Sequence, residues 1–269
     1  MKAKWPAVPY ALWSAAFIIV PLLLVLYAAL TDADGNFSLI SLSQVPQYSS
    51  AFIRSIVLAF FSTLICLILA YPFAYILSRM AIHKQAIFYM LAILPMWMNF
   101  LLRTYSWMTL LENTGLINQF LGIFGIGPFN MINTQGAILL GMVYDYLPFM
   151  ILPLYSIMTK IDNSMIEAAQ DLGCSPLEVV RRVVLPLSVP GIRTGIIMVF
   201  VPSVSTFIIS RLLGGGKTLL IGDLIENQFL GNSYNMNLGS AMSLVLMVIV
   251  LVIISLTGSM EDQEMEGLM

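Results

Sequence analysis

The sequence predicts an all-α fold that crosses a membrane several times, and three observations predict it. Only 26 of 269 residues carry a formal charge, or 10%, against about 25% in soluble domains. Apolar and aromatic residues make up 59% of the chain, more than a soluble protein's polar surface can cover. These residues gather in six long runs, each near the ~20 residues that cross a bilayer as a helix. The same arithmetic argues against a soluble enzyme and a disordered chain. The net charge of −2 gives no basic field for a nucleic acid. Cys66 and Cys174 lie far apart, and His83 is the single histidine. Neither a disulfide framework nor a metal site is indicated.

Taken in order, the runs predict one permeating domain over 1–269 with spans at about 8–30, 53–78, 86–106, 136–158, 191–210 and 237–257. The first passes through Phe17–Leu26 and is too long for a signal-peptide core, which has ~7–15 apolar residues. Its exit, Ala28-Ala29-Leu30-Thr31-Asp32, lacks an A-x-A site, so it reads as a retained anchor. The fifth run is the weakest, and the sixth is nearly pure aliphatic sequence up to Ile254. Placing the N-terminus in the cytoplasm puts Lys2, Lys4, Arg79, Lys84, Lys160, Arg181, Arg182 and Arg193 inside. Arg54, Arg103, Arg211 and Lys217 then lie outside. Eight against four favours both termini inside. Trp5, Tyr105 and Trp107 fall near predicted interfaces. The acidic tail from Glu261 to Glu266 weighs little in that rule.

The longest inner loop, 159–190, is the most specified. Ser164-x-x-Glu167 reads as a capping box, and Gly173 is placed to close the helix in the left-handed conformation. Ser175-Pro176-x-Glu178 signals a second start, and that helix is expected to stop before Pro186. The product is helix, glycine turn, helix. It reads either as a connector of spans four and five or as a rigid docking surface.

Within this loop Glu167-Ala168-Ala169-x₃-Gly173-x₉-Val183-x-Leu185-Pro186 resembles the EAA motif of ABC importer permeases, E-A-A-x₃-G-x₉-I-x-L-P. Every spacing fits, and Val183 replaces the usual isoleucine. The resemblance extends through Asn99–Trp107, Tyr144–Tyr155, Leu212–Lys217 and Leu220–Phe229 to permease subunits of bacterial spermidine/putrescine importers. It implies that the hairpin is a cytoplasmic coupling helix docking on an ATPase, with Glu167 and Gly173 as its central positions. It also implies a second, homologous permease, a cytoplasmic ATPase dimer and an extracytoplasmic substrate-binding protein. The chain itself would be a transport subunit rather than an enzyme and would hold no cofactor. ATP and magnesium would belong to the partner ATPase, and nucleic acid would have no part.

The remaining features each carry two readings. Gly216-Lys217-Thr218 resembles the end of a P-loop, but that pattern needs glycine where Arg211 stands, so it reads as a turn. Asp145 lies mid-span, ~12 Å from Ala137 at ~1.5 Å per residue, where an acid is expensive. It reads as a charge offered to a passing cation, with Tyr144 and Tyr146 as flanking cation–π surfaces, or as a protonated or structural group. Asp223 and Glu226 share a helical face and read as contacts for a cationic substrate or binding protein, or as a solvated face. Arg103 reads as a partner of one of these acids or of Glu112, or as an interfacial anchor. Gly141 leaves room for a neighbour or ligand, and Gly191-x-x-x-Gly195 offers a small-residue packing face. The expected function is a polyamine importer permease working by alternating access. The alternative is an ion-coupled secondary transporter of a small cation, using Asp145.

Overall fold

The computed structural model describes residues 8–266 apart from Ala33 and Asn232. Lys2, Lys4 and Trp5, and the side chains of the acidic tail, lie outside what it describes. The fold is all-α. Among the described residues the only β pairing is a single bridge between Thr31 and Phe37. Among the described residues five helices are long and apolar enough to cross a membrane, and a bent pair, Ile82–Trp97 with Phe100–Ile123, passes the same test only when taken together. Helix α1 spans Leu12–Ala29, α2 Ser49–Ser78, α3 Ile82–Ile93 and α4 Phe100–Leu111. Short α5 (Leu116–Ile123) precedes α6 (Gln135–Met158) and α7 (Asn163–Asp171). Helix α8 spans Pro176–Val204, α9 Ile208–Gly214, α10 Ile221–Leu230 and α11 Met236–Glu266.

Helices α2, α6 and α8 form the centre. On α2, Ser55, Ala59, Ser62, Cys66, Ala70 and Ala74 recur every three or four residues and are all fully buried. That spacing makes one small-residue stripe. In lipid there is little hydrophobic drive between helices, so close backbone approach supplies the packing. Large side chains on α6 fill the remaining space: Ile138, Met142, Met150, Leu154 and Met158 are completely buried. The Gly191/Gly195 face packs against α6. A Cβ at Gly195 would sit 2.5 Å from Met150 Sδ, and one at Gly191 3.1 Å from the Pro153 carbonyl. Helix α1 packs on α11 at the edge.

Two elements depart from the sequence expectation. The run expected as the third span is two helices bent by 90° to each other. Pro95 removes a backbone donor and Met98 turns extended. Asn99 then caps a new helix, accepting from the N–H groups of Leu101 (2.9 Å) and Leu102 (3.3 Å). The fifth crossing starts earlier and ends earlier than 191–210. The second hairpin helix runs into it through a π turn at Val180–Val184. Pro186 therefore stands in the first turn of the following α segment, not beyond a helix end. A proline there loses nothing, because the widened turn has already displaced the ladder. The polar segment 211–236 is helical in part, which places Asp223 and Glu226 on α10.

Contacts sort the helix ends into two layers. Arg79, at the end of α2, meets the carbonyls of Met158 and Ile161 at the end of α6, beside the hairpin. At the other end the Asn237 amide donates to Ala28 and Thr31 carbonyls, tying α11 to α1. There Ser55 Oγ of α2 accepts from the Ile221 N–H at 2.8 Å, fixing the start of α10. Gly222 follows, and a Cβ on it would lie 2.5 Å from the Thr206 carbonyl and 2.6 Å from that of Ser205. Those are backbone atoms and cannot swing aside. Gly222→Ala is expected to cost roughly 1–3 kcal/mol through overpacking, read as a lower unfolding temperature of the solubilised protein.

Candidate functional site

The hairpin is built from short-range signals. Asp162, not Ser164, caps α7, accepting from the Ser164 N–H at 3.0 Å. That N–H, with the Ser164 hydroxyl, holds the Asp162 carboxyl below the usual carboxylate range, so a full negative charge faces the helix N-terminus. The Ser164/Glu167 capping box is therefore replaced by an aspartate cap two residues earlier. Glu167 is left exposed.

Gly173 closes α7 with φ +86°. The Gly173 N–H donates to the Gln170 carbonyl (2.8 Å) and the Cys174 N–H to that of Ala169 (3.1 Å), which is the Schellman pattern. The second helix begins as expected: Glu178 reaches back to accept from the N–H and hydroxyl of Ser175, both at 2.9 Å.

The motif splits between two faces. Ala169 is buried with Ile161, Val179 and Val184, and Val183, Cys174 and Tyr75 pack against them. Glu167, Ala168, Gly173, Leu185 and Pro186 are exposed. Two exposed apolar side chains at the tip, Leu172 (86%) and Leu177 (78%), carry no motif signature. Only their exposure on either side of Gly173 marks them.

In the bundle, Asp145 is 2% exposed and pairs with Arg103 at 3.3 Å. Arg103 came from the broken third crossing, and its partner is neither Asp223, Glu226 nor Glu112. Its guanidinium lies 5.9 Å from the Tyr144 ring centre and 6.0 Å from that of Phe100, at cation–π range. Trp107 meets Tyr144 edge-on at 5.4 Å. Tyr146 turns to the other side, where its hydroxyl donates to the Pro202 carbonyl at 3.3 Å. Thus Tyr144 faces a cation supplied by the chain itself, and Tyr146, also on α6, reaches across to α8. Gly141 faces Leu213 and Ile209 of α9.

Asp223 and Glu226 line one cavity of about 320 Å³ with Ser210, Arg211, Thr218 and Asn227. Asp223 is buried; it accepts from the Ser210 hydroxyl (2.7 Å) and the Leu220 N–H (2.8 Å), both through Oδ2. Burial pushes its carboxyl above the usual range, against the pull of those donors. Its Oδ1 has no hydrogen-bond partner. Glu226 accepts from both guanidinium nitrogens of Arg211. The cavity therefore carries two acids and one base at the end of the bundle opposite the hairpin. No cluster among the described residues has the composition to hold a metal ion.

Known proteins share both the sequence and this architecture. Residues 55–259 match the family model described as the binding-protein-dependent transport system inner membrane component. The chain is 38% identical over 252 residues to the spermidine/putrescine transport system permease protein PotB of Haemophilus influenzae, covering 90% of this chain and 88% of the relative. It is 36% identical over 247 residues to PotB of Escherichia coli K12, covering 88% and 90%. Among solved structures, a chain of a bacterial alginate ABC transporter bound to an alginate-loaded periplasmic protein superposes with a TM-score of 0.81. The match spans 97% of this chain and 96% of that one at 18% identity, a likeness of fold. By that family match and these relatives, the chain belongs to the inner membrane component family of binding-protein-dependent transport systems.

Proposed function

We propose that this chain is the permease subunit of an ATP-driven polyamine importer, with spermidine or putrescine as the substrate class. The observation that carries the transport reading is the hairpin: its motif folds into a Schellman-closed turn that presents Glu167, Leu172 and Leu177 outward. An apolar tip with a charged flank suits a groove on a cytoplasmic ATPase dimer. The polyamine reading is supported by the named substrates of the relatives and by the acids at the far end. The path forms between this chain and a second, homologous permease, and an extracytoplasmic binding protein delivers substrate. ATP and magnesium stay with the ATPase, and both termini lie in the cytoplasm.

Each candidate acid takes a distinct place in this proposal. Asp223 and Glu226 meet ammonium groups first, at the outer cavity, where Arg211 already models the cation Glu226 accepts. Asp145 meets substrate only by exchanging Arg103, so its charge is offered during movement and not at rest. Uptake by the complex reconstituted with both permeases, the ATPase and the binding protein tests the reading. Labelled spermidine should enter only with ATP inside, and putrescine and spermidine should compete better than basic amino acids. Gradient-driven uptake by this chain alone would instead establish the ion-coupled alternative.

A further inference from the structure

Arg79 does more than mark the inner face. It stands at the C-terminal end of α2, and its guanidinium donates to three acceptors outside that helix. Nη2 reaches the Met158 carbonyl at 3.1 Å, and Nη1 the Ile161 carbonyl at 3.1 Å and Asn163 Oδ1. Met158 is the last residue of α6, and Asn163 is the first of α7. The last carbonyls of a helix have no partner within it, and a cation at that end also meets the negative end of the dipole. The Tyr75 ring, 5.9 Å below, supports the guanidinium from within α2.

A second residue holds the arginine's own backbone in place. Gln85 Nε2 donates to the carbonyls of Ser78 (3.2 Å) and Met80 (2.7 Å), on both sides of Arg79. Its Oε1 accepts from the Tyr155 hydroxyl of α6 at 3.0 Å. The turn carrying Arg79 is thereby anchored to the same helix that Arg79 grips.

The second hairpin helix is continuous with α8 through the π turn, whereas α7 packs through the apolar cluster of Ile161, Ala169, Val179 and Val184, with Tyr75 against them. Apolar contact is non-directional and permits sliding. A planar guanidinium with donors in a fixed fork does not. We infer that Arg79, by bridging the ends of α2 and α6 to the first residue of α7, makes α7 move with the core helices, as helical continuity already does for the second hairpin helix and α8. It is the positioning residue that turns hairpin displacement into movement of the path. This rests on the hairpin being the ATPase dock.

The test measures substrate imported per ATP hydrolysed in the reconstituted complex. Coupling free energies correspond to ~5–150-fold effects. Arg79→Met should lower that ratio at least ~10-fold, while hydrolysis stimulated by the loaded binding protein stays within about 2-fold. Arg79→Lys keeps the charge without the fork and should recover little. Asn163→Ala removes one acceptor on an exposed side chain and should lower the ratio by about 2-fold or more. It carries the test by itself if Arg79→Met does not assemble. A parallel fall of uptake and hydrolysis, or an unchanged ratio, in the variants that assemble would overturn the inference. Gly173→Val separates the two layers. A normal ratio there removes the docking reading itself; loss there, with Arg79→Met and Asn163→Ala normal, removes only the role of Arg79.

Discussion

Replacing Gly173 with valine is expected to uncouple ATP hydrolysis from uptake and leave the protein in the membrane. The turn needs φ +86°, a left-handed conformation that costs L-residues roughly 1–2 kcal/mol and β-branched ones more. A Cβ there meets nothing within 4 Å, so the substitution strains only the backbone. The bundle core is untouched. The helix will unwind its last turn or redirect the tip, and Leu172 and Leu177 will no longer present together. A loss of 1.4 kcal/mol is tenfold in an equilibrium, so imported substrate per ATP should fall about tenfold or more. Gly173→Asn, which tolerates the left-handed region better, should retain most coupling. Equal coupling in glycine and valine forms would show that the turn does not position the dock.

The second large effect is at Asp145. Asp145→Asn leaves Arg103 buried at 7% exposure with no counter-ion. Removing one member of a buried pair typically costs ~3–5 kcal/mol, a large share of a protein's ~5–15 kcal/mol margin. The expected result is a drop in assembled protein as well as in uptake. Arg103→Met combined with Asp145→Leu removes both charges and fills similar volume, which is often neutral. Assembly should return in that double variant. Spermidine uptake measured on the restored complex then separates the roles: low uptake keeps Asp145 in the path, and full uptake makes the pair an internal fastener.

The bundle's crossings were legible because hydropathy accumulates along a span. The five unbroken crossings coincide closely with runs in the sequence, apart from the fifth. That exception has a local cause: Pro186 reads as a stop, but the π turn before it absorbs the missing donor. The break at Asn99 was hidden for another reason: the run from 86 to 106 is apolar on average, and hydropathy does not register the bend that Pro95 and Asn99 make. The cap on α7 was misplaced by two residues, since Asp162, Asn163 and Ser164 all have capping chemistry and only the backbone path chooses among them.

What the sequence by itself determined is therefore the membrane class, the apolar runs of the long helices and the glycine-closed hairpin. These rest on information contained within a few turns of chain: apolar length, cap residues and one position that requires φ above zero. The tertiary structure alone decided who meets whom. Arg103 finds Asp145 and not the outer acids, Arg79 finds carbonyls 79 and 82 residues away, and Asp223 finds Ser210 across a turn. Partner choice depends on which helix faces meet and at what height. The small-residue stripe of α2 and the bend in the third crossing set those faces and heights, and local sequence carries no measure of either.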